Sequence, residues 1–350
     1  MSEQPTFPAD LDRYVRQMRY GPLGVAGQER LSKSRVLLCG CGALGSVLAG
    51  TLARAGVGHL RIVDRDFLEL NNLQRQVLFD EQDVAEGLPK AIAAANKLRR
   101  INSQIQIEPV VADVDCRNVI ELSETADLLL DGTDNFETRM LLNDVSLQLD
   151  KPWIYGGCVG AEGQTMTVVP GKTACLRCLM PEPPPPGATA TCDTAGILGS
   201  IVNVVASIQA AEAIKILSGH LEAINRGLTI IDLWDNRLRQ VGTETLRDAH
   251  ECPACSGHEF PWLEGKRGSQ SVILCGRNSV QLRSGDTVSI CLEDLAKRLA
   301  DTGQVIHNTF LLRLTVENYQ FTIFPDGRAI VGGTDDVTQA RTLFAKYIGS

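Results

Sequence analysis

The chain has 350 residues, of which 44% are hydrophobic and 22% are charged. This length is sufficient for one large α/β domain and a smaller appended domain. The formal net charge of −8 argues against general binding to nucleic acids or anionic membranes, because an acidic surface repels their phosphates.

The expected location is the cytoplasm. We identify no apolar run long enough to span a bilayer, and the polar segment 1–10 lacks the apolar centre of a secretory signal. The 11 cysteines are an odd number spread over a long chain. In a reducing compartment they indicate free thiols, metal ligands or reactive groups rather than a disulfide framework.

The first part of the chain alternates between strand and helix patterns. A helical pattern over 12–31 is interrupted by glycines. Strands are predicted at 35–40, 60–64, 105–112, 127–131 and from 152, and helices at 43–55, 89–100 and 136–149. Because strands alternate with helices, the fold class is α/β, with a doubly wound, Rossmann-like and mostly parallel sheet.

The pattern changes after Gly163. Strands at 164–169 and 227–233 predict an antiparallel extension of the sheet, and 197–217 predicts a long apolar helix. Four consecutive prolines at 183–186 predict an exposed, extended loop.

A small C-terminal α+β domain is predicted from about residue 268. Its strands are expected at 271–274, 280–282, 311–316, 319–323 and 329–331, and its helices at 292–300 and 337–347. We therefore divide the chain into a main domain, 1–265, which includes a loop at about 180–196, and a second domain, 266–350.

A glycine-rich loop follows the first predicted strand and precedes a helix. It reads Gly40-Cys41-Gly42-Ala43-Leu44-Gly45 and fits the G-x-G-x-x-G pattern in the context that pattern requires. Free N–H groups at the helix start can bind phosphate, and Asp64, 19 residues after Gly45, can accept hydrogen bonds from a ribose. The loop suits ATP as well as NAD, and a tight turn without a ligand is the structural alternative.

Three cations accompany this loop: Arg16, Arg75 and Lys90. Together they would suit a triphosphate, whose charge must be neutralised as pyrophosphate departs. Asp134 and Asn135 follow another predicted strand. A carboxylate there could hold Mg²⁺, and either residue could instead cap the next helix. Solvated surface charge is the alternative for each single cation.

Taken in order, these motifs resemble the ThiF/MoeB family, the prokaryotic relatives of ubiquitin-activating enzymes. The resemblance extends from Arg13 to about Cys255. Its motifs are Arg13-Tyr-x-Arg-Gln17, the glycine loop, Asp64-x-Asp66, Asn72-Leu-x-Arg-Gln76, Pro89-Lys90, Thr133-Asp-Asn135, Glu162-Gly-Gln164 and two Cys-x-x-Cys pairs. Gly132 departs from the family, in which Cys is common at that position. The C-terminal part, with Leu274-Cys-Gly-Arg277 and Pro325-Asp-Gly-Arg328, resembles ThiF-type enzymes of thiamine synthesis that carry such an extension.

The resemblance implies an ATP-dependent adenylyltransferase. Its substrate would be the C-terminal Gly-Gly carboxylate of a ubiquitin-like sulfur-carrier protein, which is prepared for thiocarboxylate formation in thiamine or molybdopterin biosynthesis. The implied ATP contacts are Gly40, Gly42, Ala43, Gly45, Asp64, Asp66, Asn72, Arg75, Lys90, Asp134 and Asn135, with Asp134 also holding Mg²⁺. Arg16 would act as an arginine finger in the neighbouring subunit's site, which implies a homodimer.

Two groups of cysteines complete the prediction. Cys175, Cys178, Cys252 and Cys255 form two Cys-x-x-Cys pairs separated by 73 residues, and they predict a structural Cys₄ zinc site. A redox pair or free thiols are the alternatives. Cys192 lies in the loop that is a crossover loop in the family, where it could bond to the activated carrier or be an inert thiol. A sulfur donor such as a cysteine desulfurase would be a second partner.

Two other functions compete with this one. An NAD-dependent oxidoreductase could use the same glycine loop, but it would need a His or Tyr acid at a strand end. A non-catalytic scaffold could bind carrier proteins, although it would have no need of Arg16, Arg75, Lys90 and Asp134.

Overall fold

A computed structural model of the chain describes residues 9–184, 192–249, 252–267, 272–274, 278–282 and 290–348. Within these ranges the chain divides into two compact units. The first holds the described residues up to 184 and 197–267, and the second holds 192–196 and those from 272 onward. The domain boundary near residue 265 and the assignment of the 180–196 loop stay predictions.

Eight strands form the sheet of the first unit. They are β1 (Arg35–Cys39), β2 (His59–Val63), β3 (Gln106–Val110), β4 (Leu128–Asp131), β5 (Trp153–Val159), β6 (Glu162–Val168), β7 (Leu228–Asp232) and β8 (Arg237–Val241). Their order is β3-β2-β1-β4-β5-β6-β7-β8. Strands β1 to β5 are parallel, and β6, β7 and β8 each pair antiparallel with the preceding strand. The predicted parallel sheet with an antiparallel extension is confirmed.

Helices cover both faces of this sheet. The helices of the first unit are α1 (Val15–Met18), α2 (Gly24–Leu31), α3 (Ala43–Ala55), α4 (Glu81–Ala85), α5 (Lys90–Ile101), α6 (Val119–Glu124), α7 (Phe136–Gln148), α8 (Leu176–Leu179), α10 (Gly199–Ser218) and α11 (Glu244–Ala249). In chain order α9 (Cys192–Ala195) follows α8, and it belongs to the second unit. Val36 and Leu38 of β1 pack in the core with α3, α5 and α10, while Leu37 and Cys39 pack in the core with α7. Burial on both faces explains why β1 is continuously apolar rather than alternating.

Helix α10 corrects the expectation that no apolar run is long enough to span a bilayer. It is 20 residues long and apolar enough, by length and composition, to cross a membrane. Half of its most apolar window is buried, however, and it packs against α2, α3, β5 and β6. Such burial is typical of a core helix in a soluble protein.

The second unit is an antiparallel sheet with two longer helices. Its elements are β9 (Val272–Leu274), β10 (Ser279–Leu282), α12 (Leu292–Leu299), β11 (Gln304–His307), β12 (Leu312–Val316), β13 (Tyr319–Ile323), β14 (Ala329–Gly332) and α13 (Val337–Tyr347). The strand order is β11-β12-β13-β14-β10-β9. Leu292, Leu295 and Leu299 lie on one face of α12 and are buried in this unit's own core. The α+β character of the C-terminal part is confirmed.

The sequence patterns missed the edge strands β8 and β11 and the short helices α4, α6, α8 and α11. Strand β8 reads Arg-Leu-Arg-Gln-Val, and every residue in it is exposed. It forms because it pairs with β7 along its whole length, which no local pattern reveals. Most of the predicted proline-rich loop lies outside the described residues.

Candidate active site

The glycine loop packs tightly against the end of β4. Gly40 has a φ of +86°, and a Cβ there would lie 2.7 Å from the Gly132 carbonyl oxygen. A Cβ on Gly45 would lie 2.0 Å from the Gly40 oxygen, and a Cβ on Gly132 would lie 2.5 Å from it. No larger residue fits these positions without a backbone shift, which accounts for glycine at 132. The loop leads directly into α3, whose first-turn N–H groups have no partner within the helix.

Asp64 fastens this loop to the end of β2. Its Oδ2 accepts a hydrogen bond from the Cys41 N–H at 2.6 Å, and its Oδ1 accepts one from the Asp66 N–H at 2.7 Å. Burial raises the pKa of the Asp64 carboxyl, while Lys90 and the two N–H groups oppose that shift. Each carboxylate oxygen retains acceptor capacity, so the group can also bind ribose hydroxyls.

Lys90 begins α5 beside Asp64. Its side chain is only 4% exposed, and its Nζ lies 3.0 Å from Asp66 Oδ2. The Lys90 N–H also donates to the Asp66 carbonyl at 2.9 Å. A buried ammonium is tolerated only when it is paired. Asp66 therefore holds Lys90 as a fixed positive charge near the loop.

Asn72 and Arg75 lie on the segment that follows. Asn72 is buried, and its Oδ1 accepts from the Glu69 N–H at 3.2 Å. The half-buried Arg75 donates to the Asn71 carbonyl at 2.9 Å. A Cβ on Gly199 would lie 3.7 Å from the Arg75 Cα, so this segment also packs against the start of α10.

Gln76 is a residue that sequence reasoning did not assign to the site. It is 3% exposed, and its Oε1 has no hydrogen-bond partner among the described residues. Its Nε2 lies 3.8 Å from the Cβ position of Gly42. A buried amide with an unused acceptor beside the glycine loop is positioned to contact a ligand there. The signal in the sequence was its place in the Asn72–Gln76 motif.

A buried ion pair, also missed from sequence, supports the end of β4. Asp131 is fully buried, its Oδ2 lies 3.1 Å from Arg139 Nε, and its Oδ1 accepts from the Thr133 N–H and hydroxyl. Burial raises the pKa of Asp131, and Arg139 opposes that rise. The Arg139 guanidinium also lies 5.3 Å from the ring centroids of both Phe136 and Tyr155. This network fixes the backbone that carries Asp134.

Asp134 and Asn135 divide the two possible roles between them. Asn135 caps α7, since its Oδ1 accepts from the Thr138 N–H at 2.9 Å. Asp134 is exposed and acts electrostatically on Arg65 and Arg139. The helix cap is thus Asn135, which leaves the Asp134 carboxylate accessible to a metal ion.

The Arg13–Gln17 motif anchors α1 and leaves Arg16 exposed. Arg13 donates to the Asn102 side chain, Tyr14 accepts from Asn102 Nδ2 at 2.8 Å, and Gln17 donates to the Ala55 carbonyl at 3.0 Å. Among the described residues Arg16 makes no side-chain hydrogen bond or ion pair. The structure therefore places Arg16 on the surface of the first unit.

The four cysteines of the two Cys-x-x-Cys pairs come together. Their sulfur atoms all lie within 4.8 Å of one another. The Sγ–Sγ distances are 3.7 Å for Cys175–Cys178, 3.7 Å for Cys175–Cys252 and 3.4 Å for Cys178–Cys255. A tetrahedron with Zn–S bonds of about 2.3 Å has edges of about 3.8 Å, so the cluster fits a metal ion such as zinc.

The predicted site residues thus fall into three groups. Asp64, Asp66 and Lys90 converge with the glycine loop at the carboxyl ends of β1 and β2. Asn72, Arg75, Asp134 and Asn135 lie on segments that follow β2 and β4 at this same edge of the sheet. Arg16 is exposed on α1, and Cys192 begins α9 in the second unit, with its side chain outside the described part of the chain.

The chain is similar to several known proteins. Residues 14–255 match the ThiF family model. The chain is 43% identical over 339 residues to sulfur carrier protein ThiS adenylyltransferase of Bacillus subtilis, covering 96% of this chain and 99% of that one. It is 43% identical over 245 residues to SAMP-activating enzyme E1 of Haloferax volcanii, covering 70% and 88%. The crystal structure of E. coli MccB with ATP aligns with a TM-score of 0.57 at 25% identity, covering 68% and 74%.

Proposed function

Since this chain belongs to the ThiF family, we propose that it is an ATP-dependent adenylyltransferase that activates the C-terminal carboxylate of a ubiquitin-like sulfur-carrier protein. The Bacillus subtilis and Haloferax volcanii relatives are named for such activities. The observation that carries the proposal for this chain is the buried Lys90, held by Asp66 beside Asp64 and the glycine loop. A fixed cation beside the ribose and phosphates can pair with the negative charge of a nucleoside triphosphate.

The residues at the carboxyl edge of the sheet can share the binding of ATP. Asp64 would accept the ribose hydroxyls, and the loop with the start of α3 would bind phosphate. Asn72, Arg75 and Lys90 would contact the remaining phosphate oxygens. Asp134, with Asn135 beside it, would hold Mg²⁺, which would neutralise part of the phosphate charge.

The reaction needs positioning and charge rather than covalent participation by the enzyme. A terminal carboxylate oxygen of the carrier attacks the α-phosphorus and forms a mixed anhydride. The bond from that phosphorus to the oxygen bridging to the β-phosphate breaks, and pyrophosphate leaves with the electron pair. Arg75 and Lys90 stabilise the charge that accumulates on the departing oxygens.

The edge of the first unit's sheet offers a surface for a protein substrate. Strand β8 is an edge strand, and Trp234, Leu238 and Val241 on and before it are 79%, 63% and 44% exposed. Exposed apolar side chains next to an unpaired strand edge are suited to a protein partner. This surface supports a protein, rather than a free small acid, as the molecule that supplies the carboxylate.

The proposal includes a homodimer in which Arg16 reaches the neighbouring subunit's site. The exposure of Arg16, despite the tight anchoring of Arg13, Tyr14 and Gln17, supports this role. A protein that sediments as a monomer at the concentrations at which it is active would contradict it.

The sulfur chemistry that follows adenylation is also part of the proposal. A sulfur donor such as a cysteine desulfurase would supply persulfide sulfur, directly or carried on Cys192, and this persulfide would displace AMP from the adenylate to form an acyl disulfide. A thiol reductant would then attack the sulfur of the donor or of Cys192 in that bond, which releases the thiocarboxylate and leaves a disulfide. In the alternative, Cys192 displaces AMP first and bonds to the activated carrier as a thioester, from which the persulfide displaces the Cys192 thiolate. The full-length match to the Bacillus subtilis relative supports a carrier of the thiamine pathway over one of the molybdopterin pathway. This function implies a soluble enzyme of the cytoplasm.

The four-cysteine cluster would bind zinc in a structural role. Four thiolates leave no open coordination position for a substrate or water, so the metal would join distant segments rather than take part in adenylation.

The hydride-transfer alternative has little support. The named relatives are adenylyltransferases and activating enzymes. Among the described histidines, His59 begins β2, at the opposite end of that strand from Asp64, and is paired with Glu108. No described histidine lies at the carboxyl edge of the parallel strands.

Carrier-dependent exchange of radiolabelled pyrophosphate into ATP tests the proposal. With a purified carrier that ends in Gly-Gly, the wild-type chain should catalyse exchange. Arg75→Ala should lower the rate by at least about 100-fold, because it removes a charge that acts on the departing pyrophosphate. Arg100→Ala, an exposed arginine near the end of α5, is the matched control and should remain active.

Two outcomes would contradict the proposal in different ways. Full exchange by the Arg75→Ala protein would refute the role of that residue. Failure of the wild-type protein to exchange with any Gly-Gly carrier would refute the function itself.

A further inference from the structure

A run of alternating charges joins β2 to the segment that follows β3. Arg65 Nη1 lies 2.5 Å from Asp113 Oδ1, and Arg65 Nε lies 3.7 Å from Asp66 Oδ1. Asp66 in turn is paired with Lys90. The Arg65 side chain is 24% exposed and that of Asp113 only 11%. We call Lys90, Asp66, Arg65 and Asp113 the charge chain.

The segment 111–118 is fixed at both its backbone and its side chains. It leaves the sheet after Val110, whose carbonyl accepts from the Asp64 N–H at 3.1 Å. The Asp113 carbonyl accepts from Asn118 Nδ2 at 2.6 Å, while the Asp113 carboxylate is held by Arg65. Within the segment, Asn118 therefore fixes the backbone turn, and Arg65, from outside it, fixes its distance from β2.

The order of the strands indicates what this segment faces. β1, β2 and β3 lie side by side and parallel, so their carboxyl ends meet at one edge. In the proposed function the phosphates lie at the loop after β1 and the ribose lies at Asp64 after β2. A nucleotide that runs in this direction places its base next to the segment after β3, because ligands of such sheets bind outside the carboxyl ends of the strands.

We propose that Arg65 and Asp113 are positioning residues that hold the segment 111–118 as a wall of the base-binding subsite. This inference rests on the proposed function, since it requires ATP to be the ligand. The charge chain also connects this wall to Lys90, so the base and the phosphates are positioned through one set of contacts. An ion pair that is mostly shielded from water is a firmer restraint than a surface pair.

The test is competition with radiolabelled ATP for the purified full-length protein, with adenosine and inorganic triphosphate as competitors. Asp113→Asn should weaken the binding of ATP and of adenosine by about 10-fold, which corresponds to about 1.4 kcal/mol. Its affinity for inorganic triphosphate should change by less than about twofold, because the phosphate contacts remain. A general loss of structure would weaken both competitors alike. Asparagine has nearly the same shape as aspartate, so Asp113→Asn still provides the test if a second variant, Arg65→Gln, does not fold.

A double-mutant cycle shows whether the two residues act as a unit. The double variant Arg65→Gln/Asp113→Asn should bind ATP no more weakly than whichever single variant binds it less tightly. Lys297→Gln is the control, since it removes an exposed ion pair with Glu293 at 3.2 Å outside the segment 111–118, and it should leave ATP binding unchanged.

Three results would overturn the inference: unchanged ATP affinity in Asp113→Asn, equal losses for adenosine and triphosphate, or full additivity in the cycle. If the wild-type protein binds no ATP at all, the proposed function fails together with the inference. If the wild-type protein binds ATP and the variants match it, only the inference fails.

Discussion

Asp144 is a buried carboxylate on α7 that anchors the segment after the second cysteine pair. Its Oδ2 accepts from the N–H groups of Trp262 at 3.0 Å and Leu263 at 3.4 Å. Its Oδ1 is buried and has no partner among the described residues. Burial raises the pKa of Asp144 to about 6, although the two N–H groups and Arg177 oppose that shift. The folded state therefore favours the protonated form of this group.

This shift has a definite sign for stability. A carboxyl whose pKa is raised by folding destabilises the folded state as pH rises from about 4, the unfolded value, through about 6. The asparagine in Asp144→Asn cannot ionise, so this variant does not lose unfolding free energy in this way as the pH rises. Its unfolding free energy relative to wild type should therefore increase by up to about 1 kcal/mol between pH 5.5 and 7.5. Urea unfolding at both pH values measures the difference.

Ser146→Ala, which alters a non-titrating side chain on the same helix, provides the control for this measurement, and its difference from wild type should not change with pH. A constant difference for Asp144→Asn across the same range would show that Asp144 ionises normally in the folded protein.

At the scale of elements, the cysteine cluster joins pieces that are too short to be stable alone. Helix α8 has four residues, with Cys175 at its N-cap and Cys178 inside it. Cys252 and Cys255 lie in a turn with no regular secondary structure. Helices this short do not persist without tertiary support. A bound metal ion would supply that support by joining α8 to the turn.

We expect one zinc ion per chain by elemental analysis, with loss of the metal in Cys178→Ser. That loss should lower the midpoint of thermal unfolding by about 10 °C, which corresponds to about 3 kcal/mol for a unit of this size. Hydrogen exchange should accelerate in α8 and in 252–267, while β1 to β5 remain protected.

Cys291→Ser alters an exposed cysteine of the second unit and is the control. It should retain the zinc. A wild-type protein that contains no metal, and whose stability is unaffected by Cys178→Ser, would rule out the zinc site.

At the scale of the whole molecule, the two units have separate cores. The core cluster of the second unit includes Leu312, Phe321 and Val331, and every described residue in it belongs to that unit. The Haloferax volcanii relative is covered over 88% of its length by only 70% of this chain, whereas the Bacillus subtilis relative matches 96% of it. The Haloferax volcanii relative therefore has little sequence beyond the part that matches this chain.

A shortened chain of residues 1–267 should therefore fold and bind ATP with an affinity within about threefold of the full chain. The physical reason is that the first unit has its own core and contains all the residues proposed to bind ATP. Circular dichroism and ATP titration test this expectation. Carrier-dependent exchange with the shortened chain then shows whether the second unit is needed for binding the carrier or for the proposed role of Cys192.

A chain that ends at residue 249 is the matched comparison. It lacks Cys252 and Cys255 and should be markedly less stable. If the 1–267 chain is unfolded, or binds no ATP while the full chain does, the two units are not independent.

The sequence by itself determined most of the longer helices and strands and the order of the family's motifs. Strand β1 is a continuous apolar run and α3 begins directly after a glycine loop, so both follow from local patterns. The two Cys-x-x-Cys pairs, together with the family resemblance, predicted a metal site, because each pair is a motif that the sequence shows locally. The order and spacing of the short motifs likewise indicated the family before any contact was known.

Only the tertiary structure decided which charged groups meet and which stay exposed. Asp131 is paired with Arg139, Asn135 caps α7, and Asp134 is exposed. The sequence left open whether Asp134 or Asn135 was the cap. The pair of Arg65 and Asp113 and the edge strand β8 were likewise invisible. In each case the partner comes from another element that is brought near only by folding, so neither periodicity nor spacing carries the information.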